Sequence, residues 1–470
     1  IYFLTRIDRT LERTQRLSSA MRFGLLALAA LASALAPGWL QPLAIAALVL
    51  LFIVFPETGP ALLAFLAPLF LILVPVAGRP INPAEAVAFL AALALVVRLV
   101  LSWASKDKTA QANPTDANAA RFTMRLLPLD WPVLALLAAA LLSLFTALNF
   151  GVAAHEFHAV VLTGVLAYGL VRLSPTTQRE RQFDPWPVVW GLGLGAAAVA
   201  GWGIFQAATG AQLIAAEGVL RVRGPYGSPN NLALYLDHVL PILLAVALLA
   251  HQRNRRLAAG GLSLIVLTGL VLTFSRGALF LGLPAALLFL GFAAGGRWRW
   301  IALALVGAGL LLLLPLFRTE RFAGLLDLQG GTGFFRLQLW RGAWNMILDH
   351  PWFGVGLDNF LYAYRTRYVL PAGWQELNLS HPHNILLDFW TRLGVLGVIA
   401  GVWLFGAAFW QGWRALRRLT GDRQSLMLGL LASLVATLAH GLIDNSVFLV
   451  DLMIVFMLSL GLIARLGKDG

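Results

Sequence analysis

The sequence predicts an all-α polytopic membrane protein: a bundle of 12, and at most 14, transmembrane helices with one long helical loop on its external side. Three observations predict it. Hydrophobic residues fill 59% of the 470 positions and charged residues only 12%, against about half and about a quarter in a soluble domain. A water-facing surface needs charge, so this chain can bury a core but cannot cover one. The apolar residues fall in runs of about 16 to 25, the length that crosses a ~30 Å hydrocarbon layer as a helix. Lys and Arg, finally, crowd into every second loop. Backbone groups in lipid must be paired within their own segment, so such runs are helices rather than strands.

The predicted spans fall at 21–36, 39–55, 60–77, 83–102, 131–149, 156–172, 187–208, 229–250, 257–274, 277–295, 299–316, 384–410, 426–443 and 447–465. Tight turns such as Pro37-Gly38 and Gly59-Pro60 join some of them, and one adjacent pair read as a re-entrant hairpin lowers the total to 12. With the N-terminus inside, basic residues gather inside at Arg6 to Arg22, Lys106 to Arg125, Arg172 to Arg181, Arg253 to Arg256, Arg297 and Arg299, Arg414 to Arg423, and Arg465 to Lys468. The opposite short loops hold only Arg79, Arg221, Arg223 and Arg276. This asymmetry sets the orientation, with both termini cytoplasmic. The formal charge of +13 would point to nucleic acid in a soluble protein; here it belongs to one membrane side, and no nucleic-acid partner is expected. No signal-peptide cleavage pattern precedes the first span. The lack of cysteine excludes disulfides and thiolate metal sites.

One external segment, 317–383, is far longer than the rest and rich in aromatics, among them Trp340, Trp344, Trp352 and Trp374. Helices are predicted near 334–348 and 358–369. Long loops in a compact fold are functional or disordered, and the aromatic content argues against disorder. The segment is either an interfacial lid or a lid that also touches substrate. The 104–129 loop reads as a polar cytoplasmic linker.

The external face also collects the unusual residues. In RVRGPYGSPNN at 221–231, Arg221 and Arg223 flank a Gly/Pro-shaped turn just before a span. Guanidinium forks there suit phosphate, the alternative being snorkelling to lipid headgroups. In TFSRGA, Arg276 lies between two apolar runs with almost no loop around it; it is a functional candidate, or else a partner for helix-end carbonyls. In SHPHNILLDFWTRLGVLG at 380–397, His381 and His383 close the long loop directly before a span. Imidazole at such a position can take a proton near neutral pH, as a general base must. Asn384 would cap the helix or orient a hydroxyl, and Gly394 and Gly397 would let it pack closely. A metal site is the competing reading of the HxH pair, though the sequence places no third ligand nearby. His440, Asp444 and Asn445 are polar groups in an apolar setting that pair with one another or with the site. Arg336 and Arg341, on the loop helix, form either a solvated face or a second phosphate clamp. No Walker A motif, dinucleotide fingerprint or paired acidic metal motif is present.

External arginines with a histidine fit a diphosphate-linked donor: the arginines hold the leaving group as its charge develops, and histidine takes a proton from the attacking hydroxyl. At these residues the sequence resembles the O-antigen ligase and O-antigen polymerase family. The ligase pattern of His, then Asn, Ser or Gln, nine residues, Gly, two residues, Gly is met by His383, Asn384, Gly394 and Gly397. RGPYGSPN, SRGA and HPWFGVGLDNF at 350–360 are similar to the family's core, and the likeness covers about 220–400. It implies a fold like the membrane-embedded C-type glycosyltransferases, with an N-terminal bundle at 1–220 and a ligase-like core at 221–470. It further implies a Gram-negative inner-membrane protein with a periplasmic site, using undecaprenyl-diphosphate-linked glycan as donor and lipid A-core as acceptor, with no cofactor and no metal. His383 corresponds to the family's catalytic histidine, and Arg223, Arg276 and Arg336 to its arginines, with Arg221 beside them; His381, Asn384 and Asp444 would support the histidine. A polymerase, a protein O-oligosaccharyltransferase and an anion transporter are the rival expectations. A transporter would spread ionisable groups along several helices near mid-membrane, whereas here they gather at one face.

Overall fold

The computed structural model describes residues 19–76, 78–109, 126–174, 183–314 and 331–469. The start of the N-terminal basic segment, most of the 104–129 linker, part of the Arg172 to Arg181 loop and residues 317–330 of the long loop lie outside them. The chain is an all-helical polytopic membrane protein. Its helices are α1 (Ser19–Leu35), α2 (Gln41–Val54), α3 (Thr58–Leu66), α4 (Pro83–Thr109), α5 (Asp130–Ser143), α6 (Phe150–Arg172), α7 (Trp186–Thr209), α8 (Pro229–Leu249), α9 (Arg253–Leu272), α10 (Ala278–Ala294) and α11 (Arg297–Leu313). Two helices follow in the long loop, α12 (Thr332–Asp349) and the short α13 (Phe360–Ala363), and then α14 (Ile385–Leu416), α15 (Gly421–Gly441) and α16 (Val450–Asp469). Among the described residues, eight helices are long and apolar enough to cross a bilayer, and five shorter apolar helices join them.

Each of the fourteen predicted spans coincides with a helix. Two depart from the prediction in a way that shapes the site. The segment predicted at 60–77 ends its helical course at Leu69, and the chain then turns into a small hairpin, β1 (Val74–Val76) with β2 (Arg79–Ile81). A second hairpin, β3 (Ile214–Ala216) with β4 (Val219–Arg221), precedes the Gly/Pro turn. Its two-residue tip, Glu217-Gly218, has positive φ at both positions, the mirror-image turn that suits strand twist. The other difference is a break in α14 at Gly394 (φ 68°, ψ −164°). The sequence assigned Gly394 to close packing on a continuous helix; the structure makes it the hinge of a helix in two pieces. The backbone of 351–355 enters the break, with Val395 N donating to Pro351 O and Val355 N to Thr391 O, both at 2.8 Å. A Cβ at Gly394 would lie 2.1 Å from the Trp352 carbonyl, so only glycine meets both the dihedral and the space.

The ends of the bundle differ chemically. At one end, buried Arg172 reaches both oxygens of Asp130 at 3.1 Å, Arg255 pairs with Asp422 at 2.7 Å, and Arg22 with Glu57 at 2.9 Å. These are the loops that the sequence read as inside. The other end carries both hairpins, α12, α13 and the motif residues. Between them, α8, α15 and α16 form the centre of one apolar core that runs from Leu26 to Leu466. Leucines such as Leu28, Leu43, Leu264 and Leu312 are exposed along the outer helices, an arrangement that suits lipid rather than water as solvent.

Candidate active site

The site forms where the long loop meets α14. Asn384 caps this helix, its Oδ1 accepting from Leu386 N and Leu387 N at 3.1 Å, while its Nδ2 donates to Leu442 O just past α15. The residue before it, His383, is held at φ 48°. A non-glycine residue in the left-handed region is strained, and such strain concentrates at functional sites. Its Nδ1 lies 2.7 Å from Oδ1 of Asp444. Asp444 stands in the turn between α15 and α16, and its Oδ1 also accepts from Asn445 N at 2.9 Å. Burial works against the Asp444 charge, but the adjacent His383, as charge and as donor, holds its carboxyl below the usual range. Carboxylate on Nδ1–H fixes the tautomer that leaves Nε2 as proton acceptor.

His381 stacks edge-on against His383 with ring centroids 4.2 Å apart, and its Nδ1 accepts from His383 N at 3.3 Å. Burial drives its pKa well below the ordinary histidine range, helped by His383 and by the charges of Arg392 and Arg336. His381 is therefore a neutral neighbour. The sequence found no third ligand for a metal at the HxH pair; the fold brings Asp444 there, and donor atoms of the three residues lie within 4.8 Å of one another. Two of those atoms already serve each other, Nδ1 of His383 with Asp444, and Nδ1 of His381 serves the His383 backbone. These bonds tie the trio into one hydrogen-bonded unit.

The arginines occupy different positions at the same end. Arg276 is buried in the turn between α9 and α10, with Nη2 donating to Thr332 Oγ1 at the start of α12 (2.8 Å) and Glu217 Oε2 at 3.9 Å. Phe274 in this turn has φ 46°. Arg336 lies one turn into α12, and its charge is felt at His381. Arg223 is partly exposed, and its guanidinium has no partner among the described residues. Its backbone N donates to Gln206 Oε1 at 3.1 Å, and Tyr226 three residues on donates to Asp451 at 2.8 Å, rooting the turn in α16. Arg221 is committed inward instead, Nε to Thr273 O and Nη2 to Asn230 Oδ1, both at 2.6 Å. It joins β4 to the turn that carries Arg276.

Three features escape a reading of sequence. Oδ2 of Asp237 on α8 lies 3.1 Å from Nδ1 of His440, a second His–Asp pair, with both residues fully buried. The same imidazole lies against Gly277, where a Cβ would stand 2.3 Å from Nε2. The turn bearing Arg276 thus rests on the helix whose end leads to Asp444. Fully buried Arg392 bonds Asp388 at 2.7 Å and Glu156 of α6 at 2.9 Å, with Asp358 at 3.9 Å, locking the broken helix below His383. Trp340 donates Nε1 to Pro382 O, between the two histidines, at 2.9 Å. Of these, only the i,i+4 spacing of Asp388 and Arg392 leaves a trace in the sequence, and it was not read.

Fold and site together define a polytopic helical membrane protein with a His–Asp pair and a set of guanidinium groups at one end of its bundle. Residues 261–402 match a family model described as O-antigen ligase. Over 237 residues the chain is 34% identical to an O-antigen ligase of Pseudomonas aeruginosa, covering 49% of this chain and 52% of that protein. Over 67 residues it is 36% identical to an O-antigen ligase of Salmonella typhimurium, covering 14% of this chain and 17% of the other. The aligned part spans about half the length of the Pseudomonas protein. Over these segments the chain is similar to O-antigen ligases. The matched segment contains Arg276, Arg336, His381, His383 and Asn384, while Arg221, Arg223 and Asp444 lie outside it.

Proposed function

We propose that this protein is an O-antigen ligase, transferring a polysaccharide from undecaprenyl diphosphate to a sugar hydroxyl of lipid A-core. The basic end of the bundle faces the cytoplasm, with both termini, and the site opens to the periplasm of a Gram-negative inner membrane. The observation that carries this reading is the His383–Asp444 contact at 2.7 Å, set at the bundle end that also holds Arg276, Arg336 and Arg223.

His383 Nε2 takes the proton of the acceptor hydroxyl while Nδ1–H stays on Asp444, which stabilises the imidazolium that forms. The acceptor oxygen bonds to the anomeric carbon, and the bond from that carbon to the diphosphate breaks with its electron pair leaving on the diphosphate. Arg276 and Arg336, with Arg223 at the rim, hold this developing charge. Direct displacement by the acceptor inverts the anomeric carbon. Base and clamp both come from side chains, so the reaction as proposed calls on neither metal nor nucleotide.

The test is to incubate purified protein with lipid-linked glycan and rough lipopolysaccharide. Capped lipopolysaccharide supports the ligase reading; lengthened lipid-linked chains would establish a polymerase instead. His383→Ala should abolish transfer without loss of expression, and near-normal transfer by that variant overturns the base assignment.

A further inference from the structure

Beside the histidines, on the face of α12 turned toward α14, lies an open hollow of about 340 Å³ lined by Trp340, Arg341, Trp344, Asn345 and Leu387. We propose that this hollow is the acceptor sugar subsite, taking a pyranose ring of the core oligosaccharide that bears, or neighbours, an anionic group. The proposal rests on the ligase reading and supplies what that reading leaves open, the place of the acceptor.

Four observations carry it. The first is composition: two indole rings, one guanidinium and one amide meet over a single leucine. Aromatic faces cover the apolar C–H face of a sugar ring, and Arg and Asn bond its hydroxyls or an attached phosphate or carboxylate. The second is rigidity. Trp340 is fixed by its bond to Pro382 O, and Trp344 meets Trp390 edge-on, with centroids 6.1 Å apart at 78°. Rings held in this way lose little entropy when a ligand arrives. The third is position. Pro382 lies between His381 and His383, and Leu387 is on the first turn after His383, so a sugar seated here borders the proposed base. The fourth is size and charge. The volume, at the small end of the ~300–1,000 Å³ range of ligand sites, is enough for one sugar ring. Arg341 has no partner among the described residues, unlike Arg276 and Arg221, which are tied into the fold.

The experiment compares Trp344→Ala, Trp344→Phe and Arg341→Gln with the unchanged protein in the transfer assay. Two acceptors are used: rough lipopolysaccharide, and the core oligosaccharide freed of its lipid. Trp344→Ala should raise KM for both acceptors about tenfold, the loss of one ring contact, while kcat and the donor KM stay within about twofold. Trp344→Phe should restore most of the affinity, and Arg341→Gln should weaken a phosphorylated oligosaccharide more than its dephosphorylated form. Quenching of tryptophan fluorescence by the free oligosaccharide, diminished in Trp344→Ala, provides a reading that needs no turnover. Acceptor KM unchanged in Trp344→Ala and Arg341→Gln overturns the proposal. So does a defect confined to the lipid-bearing acceptor, which would make the tryptophans a bilayer contact. Absence of transfer by the unchanged protein sinks the ligase reading itself, a result separate from either.

Discussion

Replacing Asp444 by Asn tests the His383–Asp444 pair without removing bulk. The carboxylate and the imidazolium formed during transfer would stand roughly 4 Å apart between charge centres, across a hydrogen bond of 2.7 Å. At an effective dielectric near 20, that attraction is about 4 kcal/mol. Asparagine can still accept through its amide oxygen, and a neutral hydrogen bond keeps about half the strength of a charge-assisted one. The net loss in the transition state is then about 2–4 kcal/mol, or roughly 30- to 1,000-fold in kcat. Initial rates of glycan transfer at saturating donor, in detergent or nanodiscs, measure it, with monodisperse elution confirming the fold. A folded Asp444→Asn protein within about threefold of normal kcat would refute the electrostatic role and leave Asp444 a structural ligand of His383.

Three further outcomes follow from the geometry. Because the Asp444 carboxyl is held below its usual range, it stabilises the fold above the unfolded-state pKa of ~3.9, and that stability fades as pH falls through the folded value; the Tm gap between the unchanged protein and Asp444→Asn should be open at neutral pH and narrow below about pH 4, and a gap constant with pH would contradict this. Gly277→Ala drives a methyl into the His440 ring and should displace the turn bearing Arg276, raising KM for the lipid-linked donor about tenfold or more while acceptor KM holds; equal loss in both would mean general misfolding. Arg392→Met strands Asp388 and Glu156 as buried acids and should cost about 3–5 kcal/mol, visible as a collapsed Tm or no monodisperse protein, whereas Glu156→Gln, leaving Asp388 and Asp358 on the same guanidinium, should be far milder; the reverse order would refute the assignment of Arg392 as the hub.

The spans were legible because each is a local property, and a run of about twenty apolar residues needs no partner to be recognised. The loop helices were legible for a related reason: α12 shows its amphipathic spacing within eighteen residues. The break at Gly394 was not, since it depends on Trp352 and Val355 arriving from forty residues away to occupy it. The two hairpins hid because three-residue strands carry no periodicity. At the site, His383, Asn384 and Arg276 stood out as polar groups at span ends. Asp444 and His440 stood out too, as polar groups in an apolar setting, but their pairings did not: Asp444 is 61 residues from His383, and His440 is 203 from Asp237. Arg221 and Arg223, two positions apart and equivalent on paper, separate only in space: Arg221 ends β4 and turns inward to Thr273 and Asn230, while Arg223 lies beyond the strand in the Gly/Pro turn and stays partly exposed.

The segment from His383 to Gly394 explains why the histidine can remain strained. It is a short length of helix pinned at both ends, by the Asn384 cap and Asp444 above, and by the 351–355 backbone and the Arg392 cluster below. A continuous helix would transmit every tilt of the membrane-spanning part of α14 to its first residue. The break at Gly394 interrupts that transmission, and the loop inserted there ties the upper piece to α12 and α13 instead. The geometry of His383 is thereby set by the layer that also holds Thr332, Arg336 and Trp340, and not by the lipid-facing length of its own helix. In the proposed reaction, which has no covalent intermediate, base, arginines and aromatic hollow must meet donor and acceptor at once, and a shared layer would hold them in register.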